Sequence, residues 1–305
     1  MWKASEWKWW VLFYGAPCLD GILPPNFHKH FCLLVSAIHL LLKDRITRED
    51  ISDAMGKLSD FVFKMQNLYG EASMTFNVHQ LLHLPRSVVE LGPLWAHSTF
   101  VFESGNGVLL KLISSANGVA VQVLERFIMQ LQLTMLKNTL DLQPQVKEMC
   151  EQLIAPAPCK IAETRTLGRG IVCGIVDHDQ KNAFIAELGF IPDRVTSFQR
   201  IVVRGHLLHT SEYKRAQKTR NCTFKCTKGQ FYTLHNVYEI SDGSCMLMCT
   251  QLACKTYGNM SHINICTPKR EKLLMPLDRV ASISVLMSLG TSCYVADLPN
   301  FLEKD

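Results

Sequence analysis

The sequence predicts an α+β protein: an N-terminal all-α helical region over residues 1–153, then a β-rich small barrel or strongly bent sheet over 171–305. Three observations predict this. Up to residue 153 the apolar positions recur at helical spacing. Residues 154–170 (IAPAPCKIAETRTLGRG) hold two prolines and two glycines and keep no clear period, which reads as a linker. From 171 onward the apolar runs are short and rich in β-branched and aromatic residues: IVCGIV, FQRIVVRG, QFYTLHNVYEI, CMLMCTQLAC, RVASISVLM and CYVADL.

Residues 4–15 are amphipathic and aromatic, with Ala4, Trp7 and Trp10 at helical spacing. Lys3 and Lys8 before the apolar run WWVLFYGAPCL imitate a secretion signal, but the Trp-rich helical pattern favours a mature helix. Residues 27–43 are apolar nearly all round, which predicts a buried helix. Thr47 and Asp50 resemble a capping box that starts a helix to Tyr69, where Gly70 stops it. A helix from Thr75 carries His79 and His83. Pro85 lacks an N–H and suits the first turn of a short helix ending before Gly92-Pro93. The next helix starts near Ser98, carries Glu103 and runs to about Ile113. Asn117 caps a further helix to Lys137, with Val121, Leu124, Ile128 and Leu131 on one face. A last helix covers 142–153.

Hydrophobic residues make up 48% of the 305 and charged ones 19%, which excludes a disordered chain. The formal charge is +5. Residues 200–228 hold Arg200, Arg204, Lys214, Arg215, Lys218, Arg220, Lys225 and Lys228 against the single acid Glu212, so this segment carries the whole basic excess. These cations are candidates to neutralise phosphates, with Phe198, Tyr213 and Phe224 to stack on bases; a solvated loop is the plainer alternative. No apolar run reaches the roughly 20 residues needed to span a bilayer. Twelve cysteines spread along a long chain favour a reduced intracellular protein over a disulfide scaffold. Those in 222–254 lack the x₂ spacing of common zinc sites and read as small core residues. Asp177, His178 and Asp179 read as a turn.

His79 and His83 lie at i and i+4, so both project from one helix face, as zinc ligands or as a packed, hydrogen-bonded pair. Glu103 follows Phe100-Val101-Phe102. A carboxylate in such company is either paired, metal-bound or a solvated first-turn residue favoured by the helix dipole. Asn106 and Gly107 share its face.

The stretch MTFNVHQLLHLPRSVVELGPLWAHSTFVFESGNG, with KASEWKWWVLFY and GILPPNFHKHFCLLVSAIHLLLKDRITREDI before it, resembles En/Spm-type (CACTA) DNA transposases. The ordered combination of a His pair, GPLWAHS and Phe-Glu-x-x-Asn-Gly carries the likeness over residues 3–135. FQRIVVRGHLLHTSEYKR and CYVADLPNFLEKD resemble the β-rich region that follows in such elements. The resemblance implies an RNase H-like DDE/D nuclease in which three acids hold two Mg²⁺ or Mn²⁺ ions for phosphoryl transfer. Glu103 matches the last of these acids and Asn106 the asparagine one turn later, while His79 and His83 match paired zinc ligands. It implies element-terminal DNA, a second copy or a full-length transposase as partners, no membrane, and a nuclear location, or a cytoplasmic one for a decayed element.

The departures shape the expectation. The two catalytic aspartates of the family precede the helical region matched here, as do the cysteines that complete its zinc site. Thr99 stands where the family has cysteine, and Val108-Leu109-Leu110 replaces a more basic run. The chain therefore resembles a truncated copy, from which no strand transfer is expected, and its cofactor is either Zn at His79 and His83 or none. Binding DNA or a transposase subunit is the expected residual role. Two alternatives stand beside it: a scaffold binding proteins through an uncovered apolar face of helices 98–113 and 118–137, and a hydrolase or nuclease with its own metal site at His79, His83 and Glu103.

Overall fold

The computed structural model of the chain describes residues 2–140, 143, 145, 146, 149, 164–214 and 221–300. They form two compact units. One combines residues 1–93 with 161–304, and the other holds 94–160. These units differ from the sequence boundary at 153: the first helices share their compact unit with the sheet, because their apolar faces pack on it. Most of the expected helix 142–153 and of the linker, together with Arg215, Lys218 and Arg220, lies outside the described residues. Within the linker range, Arg165–Leu167 forms a strand.

The first unit opens with α1 (Ala4–Trp9), a wide π turn over Trp10–Tyr14 that buries Leu12 and Phe13, and α2 (Gly15–Leu19). A Cβ at Gly15 would lie 2.9 Å from Phe31 and 3.1 Å from the Trp10 carbonyl, so only glycine lets this turn approach α3 (Pro25–Leu41) so closely. α4 (Arg48–Tyr69) starts on the expected capping box: Thr47 Oγ1 accepts from the Asp50 N–H, and the Asp50 carboxylate accepts from the Thr47 N–H, both at 3.1 Å. It ends at Gly70. α5 (Phe76–Gln80) and α6 (Leu84–Leu91) follow, with Pro85 in the first turn of α6.

The C-terminal part is the antiparallel bent sheet that the sequence predicts. β6 (Thr223–Cys226), β7 (Phe231–Glu239), β8 (Cys245–Tyr257), β9 (Met260–Pro276), β10 (Val280–Leu289) and β11 (Ser292–Asp297) pair in the order β6–β7–β8–β9–β11–β10, and β10 pairs back to β6. Six strands therefore close on themselves. Register breaks in the β7–β8, β8–β9 and β6–β10 pairings supply the bending that closure requires. The β8–β9 loop is the dipeptide Gly258-Asn259, with Gly258 at φ +56, as a two-residue hairpin turn demands. β2 (Ile171–Cys173) and β3 (Val195–Phe198) extend the sheet from β7. β1 (Arg165–Leu167), β4 (Arg200–Val203) and β5 (His206–His209) form a separate three-stranded sheet.

Alternation along β6 to β8 sends Phe224, Cys226, Tyr232, Leu234, Leu247 and Cys249 into one core, closed over by Ile201, Val203 and Leu208 of β4 and β5. The Asp177-His178-Asp179 turn is corrected: Asp177 precedes the first residue of a helix, α9 (His178–Leu188), whose Phe184 is fully buried. α9 packs outside the barrel on Tyr238, Met246, Met248 and Leu274.

The N-terminal helices meet β9 and β11 through polar hubs. His39 and His262 stack with centroids 3.9 Å apart, and their Nε2 atoms lie 3.2 Å from the Asp297 carbonyl and 3.3 Å from the Leu12 carbonyl. Tyr257 donates to Asp20 Oδ2 at 2.7 Å.

The second unit contains α7 (Thr99–Leu110) and α8 (Val119–Thr139) joined by a short loop. Gly118, rather than Asn117, precedes α8. Gln122 bonds to Ser114, Ser115 and Asn117, and Arg126 to the Leu112 carbonyl and Ser114 Oγ, so that face of α8 is held against its own loop.

Candidate functional site

The His pair forms as its spacing predicts. Thr75 Oγ1 accepts from Val78 N–H and starts α5. After Gln80 the chain tightens into a 3₁₀ turn, Leu81–His83, because Pro85 cannot extend the helix behind it. The two Nε2 atoms lie 3.2 Å apart and both rings are exposed. Two nitrogens on one tetrahedral zinc, each about 2.0–2.1 Å from it, sit roughly 3.3 Å apart. The pair thus fits half of a zinc shell, and equally fits a hydrogen bond in which one ring donates to the other. Among the described residues no group of three or more His, Cys, Asp or Glu side chains is arranged to hold a metal.

Glu103 and Asn106 are exposed on α7. Nothing lies within 4 Å of a Cβ placed on Gly107, so the space beside them is open. The His pair and Glu103 belong to different compact units. A two-ion centre needs several anionic oxygens around it. Glu103 supplies one carboxylate and belongs to no group of three or more such side chains among the described residues, which do not fit the Mg²⁺ or Mn²⁺ pair. In the GPLWAHS stretch, Trp95 Nε1 and His97 Nδ1 are buried with no hydrogen-bond partner among the described residues.

The basic segment divides. Arg204, Lys214 and Lys228 are exposed. Arg204 sits at φ +49 in the tight β4–β5 turn, and its Nη2 donates to the Asp278 carbonyl at 3.2 Å. Arg200 lies over the Tyr213 ring, 5.3 Å from its centroid. Lys225 is half-buried and bound to Asp297 at 2.6 Å, so it is a structural cation rather than a free phosphate ligand. The expected base-stacking role fails for Phe224, which is fully buried in the barrel, and Phe198 packs against the same core. The reason is strand parity: Cys222, Phe224 and Cys226 alternate inward while Lys225 faces out.

One cleft had no sequence signal, because its walls come from distant parts of the chain. Asp20, His28, Cys32, Lys57, Lys64 and Tyr257 line a cavity of about 760 Å³ between α3, α4 and the β8–β9 turn. Cys32 approaches the His28 ring at 3.9 Å, but burial and then Asp20 push its thiol up to about 11. At neutral pH it is therefore a protonated wall group.

No protein-family model matches the chain, and neither a curated protein nor a solved structure is significantly similar to it.

Proposed function

We propose that the chain is transposase-derived and acts by binding rather than by strand transfer, with the α7–α8 hairpin as its docking element for a transposase-type chain, a second copy included. The observation that carries this is the exposed stripe Val121, Leu124, Ile128, Leu131 and Met135 on α8, between 42% and 65% accessible. Its 3-4-3-4 spacing is that of a coiled-coil seam. At 100° per residue it lies opposite the Gln122–Arg126 face that grips the hairpin loop. An aligned apolar stripe supports the scaffold alternative, and Phe127, Met129 and Leu133, exposed as well, carry the apolar surface further around the helix. In this reading Glu103 and Asn106 are inherited positions, His79 and His83 would hold zinc only with ligands from elsewhere, and the chain works in the nucleus.

Sedimentation of the full chain tests it. Wild type should self-associate at tens of micromolar or co-sediment with a CACTA-type transposase chain, and Leu124→Glu with Leu131→Glu should abolish this while leaving the helical circular dichroism unchanged. Association that survives both substitutions would sink the proposal.

The exposed cations favour DNA contact as a second reading. Removing Lys214 or Lys228 should weaken binding to duplex DNA and reduce the salt slope by about one each. Lys225→Ala should leave that slope unchanged, because its ammonium is already bound to Asp297. Fluorescence anisotropy across a salt series reads both, and a slope that drops equally in Lys225→Ala would refute the assignment.

A further inference from the structure

Three neighbouring strands of the barrel bring three thiols side by side. Cys254 on β8 is the register partner of Cys266 on β9, and Cys266 is also the partner of Cys293 on β11. Directly opposed residues of antiparallel strands project from the same face, so the three side chains form a row. Cys266 is 2% exposed and packs with Phe231, Leu252 and Val295, with Cys293 beside them. Leu252 and Cys254 are two residues apart on one strand and share its face. Cys254 is exposed. The buried thiol is thus the middle one, between the exposed Cys254 and the half-buried Cys293.

Pro268 tells the two pairings apart. It is the register partner of Leu252 and has no N–H, so that pair is not hydrogen-bonded. Alternation then makes Ala253–Thr267 a hydrogen-bonded pair and Cys254–Cys266 a non-hydrogen-bonded one, with Cα atoms about 4.5 Å apart. The peptide groups of Cys266 turn instead to β11, which makes Cys266–Cys293 a hydrogen-bonded pair at about 5.5 Å. Both separations lie inside the roughly 4.4–6.8 Å that a disulfide spans, and side chains approach more closely in the non-hydrogen-bonded pair. All the described cysteines are reduced.

We propose that Cys254 and Cys266 form a thiol–disulfide exchange site at the rim of the barrel, whose substrate is a small-molecule disulfide of the glutathione class, with Cys293 as the third thiol able to take over the bond. The Cys254 thiolate attacks one sulfur of the small disulfide. Its S–S bond breaks, one thiolate leaves and takes up a proton, and a mixed disulfide remains on Cys254. Cys266 gives its proton to solvent, attacks Cys254 Sγ and expels the second small thiolate. Two protein thiols lose two electrons, and the small disulfide becomes two thiols. Attack by the Cys293 thiolate on Cys266 Sγ moves the bond from the β8–β9 pair to the β9–β11 pair and frees Cys254 as a thiol. Burial and then Asp297 raise the Cys254 thiol, and burial with Cys254 and Cys293 alongside pushes Cys266 up to about 12. Reaction is therefore slow at neutral pH and quickens as pH rises, since only the thiolate attacks.

The experiment incubates the full chain with glutathione disulfide at pH 8.5, blocks remaining thiols in denaturant and maps the peptides. The expected product has lost two hydrogens, joins Cys254 or Cys293 to Cys266, and returns to thiols with dithiothreitol. Cys254→Ser should slow formation of the cross-link on the order of tenfold, because the entry thiol is gone. Cys293→Ser should still yield Cys254–Cys266. A mixed disulfide that stops on Cys254 with Cys266 free, or an unchanged rate in Cys254→Ser, would overturn the proposal. Circular dichroism before oxidation checks that each serine variant is folded.

Discussion

Phe224→Ala should destabilise the chain by about 3–5 kcal/mol, the range for emptying a large aromatic site in a close-packed core. Phe224 is fully buried, stacks on Tyr232 with centroids 5.7 Å apart and faces Ile283 across the β6–β10 pairing. Those contacts come from both strands flanking β6, so the cavity opens where the closed ring is held together. Against a typical stability of about 5–15 kcal/mol, this loss removes a large share of the total. Urea unfolding of the full chain, followed by circular dichroism, measures it. Tyr213→Ala, at a half-buried ring beside Arg200, should cost well under half as much. A loss below about 1 kcal/mol for Phe224→Ala would mean that the ring does not sit in the barrel core. If DNA binding falls in Phe224→Ala, it should fall in proportion to the unfolded fraction and not through a lost stacking partner.

Legibility followed the range of the interactions. α4 was readable at both ends, because Thr47, Asp50 and Gly70 act within one turn of the backbone they satisfy. The His79–His83 approach was readable for the same reason: i,i+4 spacing sets it without help from elsewhere. The start of α9 is ambiguous in sequence because Asp177 and Asp179 suit a turn and a helix start equally well, and only Phe184 meeting Tyr238 decides between them. The strands were visible as β-rich runs, but their closure was not. β7 meeting β8 at one edge and β6 at the other depends on register and on breaks such as Leu234/Asn236, which no local pattern encodes. Lys225 read as one of eight cations because its partner, Asp297, is 72 residues away. The inward position of Phe224 was within reach, since Cys222, Phe224 and Cys226 alternate with polar neighbours. The row of Cys254, Cys266 and Cys293 needed two strand registers at once.

Acid should loosen this protein through the stacked imidazoles that join the helices to the barrel. His262 is 3% exposed and His39 4%. Burial holds His262 down at about 4, against the acceptor carbonyl of Leu12, and Lys43 and Lys57 act in the same direction. Burial also holds His39 well below the usual range, as do His262, Lys43 and Lys225, while the Asp297 carbonyl opposes them. An unfolded imidazole takes its proton near pH 6.5. At pH 7 and above both states are mostly neutral, so the pair adds little pH dependence there. Below about pH 6.5 the unfolded chain gains protons that the folded chain refuses, and stability falls until His262 itself protonates near pH 4. For His262 alone the loss over that window is about 3 kcal/mol. Charging either ring also places a cation against a stacked neighbour 3.9 Å away, with lysines rather than carboxylates acting on it among the described residues. Urea midpoints at pH 7, 5.5 and 4.5 should therefore fall steadily. His262→Gln should flatten that slope by about one proton, because glutamine can still donate to the Leu12 carbonyl but cannot take up the charge. Equal slopes in wild type and His262→Gln would mean that the ring is solvated when folded and that the helices are held to the barrel by other contacts.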